Sequence, residues 1–501
     1  MSQKVKYNLV FAILLFTVYF ITGVIGELPK RPYSIHQWSQ CDRASVALNF
    51  SQDDLNFFMP RVHNTTNGTG ITGMEFPIVG YLSALCYTLF GFDELWYRLM
   101  TLLIVSSGII AFFNMAAAIL KNHVLAIIIT FFAALSPLLF YYTPNFIPDA
   151  ASLGFILVAW FFFFMYIRDA SWKPLILFTI FASLSTLIKI TSLISIVLIG
   201  LLIVLDYFSV FKVKRIAGKI KLLSMLLLVI IVTFLWYRYA IWLNHTYETN
   251  IFVLEKRNSF SLLEFNAVNS AIYARWITFY TSPLSMLLLL IFSVYMFIDW
   301  KLVNRFLAFI TVGLYCGAIC FFILMNDHFK DHDYMMLTAF PAIFFHFLLF
   351  GDFVTRLPLL HYRYWVPAVI IVFIFIIKDI DTKLYLRNSF NAYEEGMYGD
   401  QKRYNKYERI EPYLRSLGIK KDDQVISVYD NSNIITLYLM NQKGTTMHYL
   451  LPENDIMNRL DNKKYGYLIV NNDAFLENAL YQKYMTNALG SFDGISIFRL
   501  P

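Results

Sequence analysis

Long uninterrupted apolar runs constrain this chain before anything else does. A run of about 18 or more apolar residues is too long for an ordinary buried helix, and its length matches the ~30 Å hydrocarbon layer of a bilayer. Read against their flanks, such runs predict about eleven crossings. They lie at 8–26, 97–119, 123–143, 150–167, 173–189, 191–207, 221–243, 283–299, 306–325, 334–351 and 365–380. The run from Pro174 to Phe208 exceeds one helix and is divided at Lys189, where Lys-Ile-Thr-Ser interrupts it. Residues 76–92 are apolar but stop at Gly91, and are read as an interfacial or re-entrant helix. The first run follows Lys4 and Lys6 as a signal peptide would, yet Gly23–Glu27 is a poor small-x-small cleavage site, so it is kept as a helix. Only 15% of the 501 residues are charged, against roughly a quarter in soluble domains. The class is an α-helical polytopic membrane protein.

Charge then sets orientation. The net charge of +7 is no nucleic-acid signature, because the basic residues gather at the edges of apolar runs. The most basic connector, Lys212 through Lys221, belongs in the cytoplasm by the positive-inside rule. With the N-terminus inside and an odd number of crossings it falls there, as do Lys121, Arg168–Lys173, Lys301–Arg305 and Arg356–Arg363. A further crossing at 76–92 would reverse them all. The first loop, the loops near Asp149 and Asp333, and the C-terminus are then outside.

Two segments depart from the apolar pattern. The loop 27–96 is long, polar and charged, and its Trp38, Ala44 and Leu48 predict an amphipathic surface helix. It is assigned, with the helices, to a catalytic membrane domain, 1–380. From 381 to 501 charged and amide residues return. Helical spacing is read over Glu394–Leu417, Asn433–Met440, Glu453–Leu460 and Ala474–Leu489, and strands over Gln424–Val428, Thr446–Leu450, Tyr465–Val470 and Ile495–Leu500. This predicts an extracytoplasmic α/β domain. It has no Gly-rich phosphate loop, and neither internal repeats nor paired broken helices mark a transporter.

Ionisable groups near hydrocarbon are costly to keep and therefore informative. Asp42, just after the first span, can take a proton from a bound hydroxyl, with Arg43 beside it to hold it ionised; the plainer reading is a surface ion pair. Glu75, in Gly73-Met74-Glu75-Phe76-Pro77, reads as an orienting carboxylate or a helix cap. Asp149 opens the fourth span, as an N-cap or as an orienting group. Lys189 either snorkels or meets a lipid phosphate. The run His328–Tyr334 can bind phosphate through His332, or a divalent metal (Mg or Mn) through His332 and Asp333; no cofactor is certain. Asp53 and Asp54 read as a helix start, and Asn64, Asn67 and Asn244 as glycosylation sequons. Cys316 and Cys320 read as packing residues. Cys41 and Cys86 could pair outside the cell.

The segments His36-Gln37-Trp38-Ser39-Gln40-Cys41-Asp42, Gly73–Pro77 and His332-Asp333-Tyr334 resemble the GT-C glycosyltransferases of the family 39 type, related to protein O-mannosyltransferases and to bacterial lipid A aminoarabinose transferases. The resemblance covers about residues 1–380. It implies transfer of a sugar from a polyprenyl phosphate to an acceptor hydroxyl outside a bacterial inner membrane, with inversion. It makes Asp42 the base. Lys189 and His332 would then meet the lipid phosphate, while Glu75, Asp149 and Arg43 orient acceptor or base. The acceptor is a lipid, a glycan or a protein. The family's eukaryotic members with paired acids in this loop differ from the Asp42-Arg43 found here. The alternatives are a polymer ligase or polymerase on the same scaffold, or a flippase of lipid-linked sugars.

Overall fold

A computed structural model describes residues 3–208, 218–249, 251–252, 262–357, 362–389 and 404–501. The chain divides by packing into two compact units: 1–29, 94–237 and 255–386 in one, and 30–93, 238–254 and 387–501 in the other. The sequence division at residue 380 keeps the first loop with the helices. Packing instead groups that loop with the C-terminal chain.

Each of the eleven expected crossings falls on helix. Among the described residues seven helices are long and apolar enough to cross a membrane, the longest being Lys219–Thr246 and Leu95–Leu120. The expected span 123–143 is broken into His123–Ala134 and Pro137–Tyr142. Pro137 lacks the N–H that would continue the helix, and the Ser136 hydroxyl accepts from Leu139 N at 3.2 Å to start a new one. Lys189 sits at the division expected for it: helix Trp172–Ile188 ends there, Lys189 is extended, and Leu193–Tyr207 follows a 3-10 turn. Helices Leu95–Leu120 and Asp149–Asp169 approach closely because both carry glycine at the crossing. A Cβ on Gly108 would lie 2.5 Å from the Gly154 carbonyl oxygen, the small-residue contact that lets membrane helices pack. Cys316 and Cys320 are exposed on their helix rather than packed, and none of the four cysteines is in a disulfide.

In the second unit five strands form one sheet, β1 (Val425–Val428), β2 (Gly444–Met447), β3 (Tyr467–Val470), β4 (Ala488–Phe492) and β5 (Ile495–Arg499), in the order β2-β1-β3-β5-β4. The first three run parallel, and β5 and β4 close the sheet antiparallel. Helix Glu453–Leu460 lies where its pattern put it. The expected helix Ala474–Leu489 is a correction. It is a short helix Asp473–Glu477, a 3-10 turn, and then β4. Asp493-Gly494, both with positive φ, turns β4 into β5 as Asp-Gly hairpins do. Of the expected helix Glu394–Leu417, residues 394–403 lie outside the described residues, and the rest is a 3-10 turn and helix Glu411–Ser416.

The first loop folds onto this sheet. His63–Thr65 run beside the edge strand β2: Gly444 N donates to His63 O at 3.1 Å and Thr65 N donates to Gly444 O at 2.8 Å. Asp53 does not start a helix. It follows the end of helix Gln37–Gln52, and its carboxylate takes Lys421 at 2.8 Å and Lys443 at 2.7 Å. The helix Gln37–Gln52 is buried on most sides rather than amphipathic, because helix Ile78–Phe90 and helix Ile435–Leu439 pack on it. The Ile78–Phe90 helix has 13 residues, about 20 Å at 1.5 Å each, too short for the hydrocarbon layer.

Candidate active site

Helix Gln37–Gln52 carries Asp42 and Arg43 together. Arg43 Nε lies 2.8 Å from Glu75 Oε1, and its NH1 donates to Ser39 O at 3.0 Å and Ser39 Oγ at 2.6 Å. Its guanidinium stands 5.1 Å from the centre of the Phe252 ring. The distance to Asp42 Oδ2 is longer, 3.9 Å. Thus Arg43 is committed to Glu75, and no hydrogen bond reaches the Asp42 carboxylate among the described residues. Asp42 is only 4% exposed. Lost hydration pushes its carboxyl up to about 7; Arg43 opposes this, and the carboxylates of Glu75 and Asp430 add to it. The sequence reading, in which Arg43 holds Asp42 ionised, is corrected: burial outweighs a guanidinium shared with another acid. Glu75 is no helix cap, since the following helix begins at Ile78 after Pro77.

A buried Ser45–His63–Asn441 chain in the same unit looks like nucleophile machinery. Ser45 Oγ lies 2.7 Å from His63 Nδ1, and His63 Nε2 3.2 Å from Asn441 Oδ1. His63 is wholly buried, and desolvation pushes it down to about 4. It is a neutral core group that ties the loop to the C-terminal chain.

In the helical unit, Asp149 and Lys189 pair at 2.9 Å, the carboxylate 3% and the amine 24% exposed by side chain. Lys189 therefore turns inward rather than snorkelling, and its ammonium lies 5.5 Å from the Tyr334 ring centre. Pro148, not Asp149, is the N-cap of helix Asp149–Asp169; a carboxylate in the first turn still meets the positive end of the helix dipole. The loop delivering Asp149 is clamped by the buried Arg98, whose NH1 donates to Pro144 O at 2.7 Å, and by Tyr97 Oη to Phe146 O at 3.2 Å. Ser152 and Ser192 are linked at 2.9 Å beside the pair. With Asp149 and Lys189 they line a cavity of about 20 Å³, room for about one water.

Asp333 is fully buried, and Tyr142 Oη donates to its Oδ1 at 2.5 Å. His332 Nδ1 lies 3.0 Å from His328 O. Among the described residues no group of three His, Cys, Asp or Glu is placed to hold a metal ion. Tyr142 is a partner that sequence reasoning missed; it lies seven residues before Asp149 in an aromatic run that reads as packing. The sequon residues Asn64, buried, and Asn67, half-buried, hold turns through their own side chains.

The helical unit, the loop with its buried acid and the sheet can now be set beside known proteins. A family profile described as dolichyl-phosphate-mannose-protein mannosyltransferase matches residues 75–237. The structure of ArnT from Cupriavidus metallidurans bound to undecaprenyl phosphate superposes with a TM-score of 0.60, at 12% identity, over 98% of this chain and 97% of that one. The fold is the GT-C fold. The archaeal oligosaccharyltransferase AglB from Archaeoglobus fulgidus, in complex with an inhibitory peptide and a dolichol phosphate, is similar at a TM-score of 0.50 and 10% identity, over 96% of this chain and 71% of that one. No curated protein matches the sequence significantly. The GT-C scaffold here thus carries its two constellations in different units: Asp42, Arg43 and Glu75 in one, Asp149, Lys189, His332 and Asp333 in the other.

Proposed function

We propose that this protein transfers a sugar from a polyprenyl-phosphate donor to an acceptor hydroxyl, with Asp42 as the base. The observation that carries the reading is the state of Asp42: buried, without a hydrogen bond among the described residues, and pushed up to about 7. A base works best when its pKa lies near the working pH. The acceptor oxygen attacks the anomeric carbon and its proton passes to the Asp42 carboxylate. The bond from that carbon to the lipid phosphate oxygen breaks, and the phosphate leaves with the electron pair. Attack opposite the leaving group inverts the centre.

Lys189 is the cation assigned to the departing phosphate, where positive charge stabilises the leaving group and an oxocarbenium-like transition state. His332 is assigned beside it. Asp149 holds Lys189, and Glu75 with Arg43 holds the base. The similarity to proteins whose structures contain undecaprenyl phosphate and dolichol phosphate supports a lipid-linked donor. The positive-inside pattern supports an N-terminus in the cytoplasm and the Asp42 loop outside, and the family resemblance supports a bacterial inner membrane.

Purified protein and Asp42→Asn, each incubated with a panel of polyprenyl-phosphate sugars and cell-envelope acceptors, test this. Release of polyprenyl phosphate by the parent protein should fall by about 10²- to 10⁴-fold in the variant. Equal turnover by the two would remove Asp42 as base, and no turnover of any donor would remove the donor class.

A further inference from the structure

The unit that carries Asp42 also contains a cavity of about 640 Å³, within the range of small-molecule sites. Its lining is polar, drawn from the first loop, from Asn244, His245, Glu248, Thr249 and Ile251, and from the C-terminal chain, with Ile251 the one aliphatic side chain among its described residues. An apolar ligand would find little to bury against there.

Some of these walls are held by the protein's own hydrogen bonds. Asn67 donates to Ile71 O at 3.0 Å and Tyr247 O at 2.9 Å, and accepts from Gly70 N at 2.8 Å. Asn244 accepts from Gly73 N at 2.7 Å and donates to Phe252 O at 3.1 Å. Amides engaged in this way give the cavity its shape in advance, which lowers the ordering cost of binding.

Capacity remains on Arg459 and Glu248. Arg459 spends NH1 on Thr445 Oγ1 at 3.1 Å and Thr446 O at 2.8 Å. Its Nε and NH2, the edge that meets two oxygens in a fork, have no partner among the described residues. Glu248 is exposed and makes no ion pair there, offering two acceptor oxygens. An anion would meet Arg459 but also the Glu248 charge. Hydroxyls of a sugar satisfy both, accepting from the guanidinium and donating to the carboxylate.

We propose that this cavity binds a neutral oligosaccharide, the glycan part of the acceptor. Only the word acceptor rests on the glycosyl-transfer reading above; the binding itself does not.

The test is calorimetric titration of purified full-length protein in detergent with neutral hexose and N-acetylhexosamine oligosaccharides, and with a uronate oligosaccharide for comparison. A neutral oligosaccharide should bind the parent protein. Its Kd should rise about tenfold or more in Arg459→Met and in Glu248→Gln, the latter an exposed substitution that leaves the β2 contacts of Arg459 intact. The proposal is overturned if no neutral oligosaccharide binds, if Glu248→Gln binds as the parent does, or if only the uronate binds. Binding that survives with no sugar transfer from any donor would instead count against the transfer reading and leave the cavity as a glycan site.

Discussion

Arg43 and Glu75 are joined at 2.8 Å, and this bond decides the state of a third residue, Asp42. The Arg43 guanidinium is the charge that opposes the effect of burial on Asp42. Shared with Glu75, it leaves burial to raise Asp42 to about 7.

Glu75→Gln should therefore lower the Asp42 pKa, both by removing a nearby negative charge and by freeing Arg43. Activity that depends on the Asp42 carboxylate rises as pH passes its pKa, so the acid limb of kcat/KM should move to lower pH in this variant. A limb that stays in place or moves up argues against Asp42 as the titrating base.

Asp42 also couples folding to pH. Its folded pKa is raised, so the neutral acid is favoured by the fold. That contribution is fully present below the unfolded value near 3.8 and is lost as pH rises through about 7. At pH 8 the fold holds a buried carboxylate at a cost. Asp42→Asn should match or exceed the parent in Tm at pH 8, measured by thermal shift in detergent, while losing transfer. A lower Tm at pH 8 would mean that Asp42 is needed structurally.

The Asp149–Lys189 pair predicts a stability cycle. Lys189→Met leaves the 3%-exposed Asp149 carboxylate without its cation, at a cost of about 3–5 kcal/mol. Adding Asp149→Asn should restore a large part of that loss, because no unpaired charge remains. Additive losses in urea titrations of the two single variants and the double would show that the pair is not coupled.

Gly444 is where β2 meets both β1 and the first loop. A Cβ there would lie 2.0 Å from the Val425 carbonyl oxygen, and backbone cannot yield as a flexible side chain can. Gly444→Ala should cost about 1–3 kcal/mol and raise protease cleavage at Arg61. Unchanged protection of that site would show that the loop does not depend on β2.

Local pattern accounts for much of the architecture. Apolar runs placed the helices, and seven of these are long and apolar enough to cross among the described residues, since each helix in lipid must satisfy its backbone internally and show apolar side chains over a fixed length. Lys189 marked a break because a charge followed by two hydroxyl residues interrupts an apolar run. The strands β1, β3 and β5 showed as short β-branched runs, whereas β4 was hidden by Ala, Gly and Ser. Its Asp493-Gly494 turn was the available signal.

Asp42, Glu75, Asp149 and Lys189 stand out in the sequence because charges beside apolar runs are few. Their partners do not, because partnership across 32 or 40 residues depends on how elements pack. Periodicity marked an amphipathic surface for Gln37–Gln52, and the fold buried it between two helices. Only tertiary packing withdrew water from Asp42, turned Arg43 toward Glu75 and Lys189 toward Asp149, and set the first loop on the edge of a sheet nearly 400 residues later in the chain. Hydration and charge pairing act through space, and a linear pattern carries only the lengths and faces of the elements that bring such groups together.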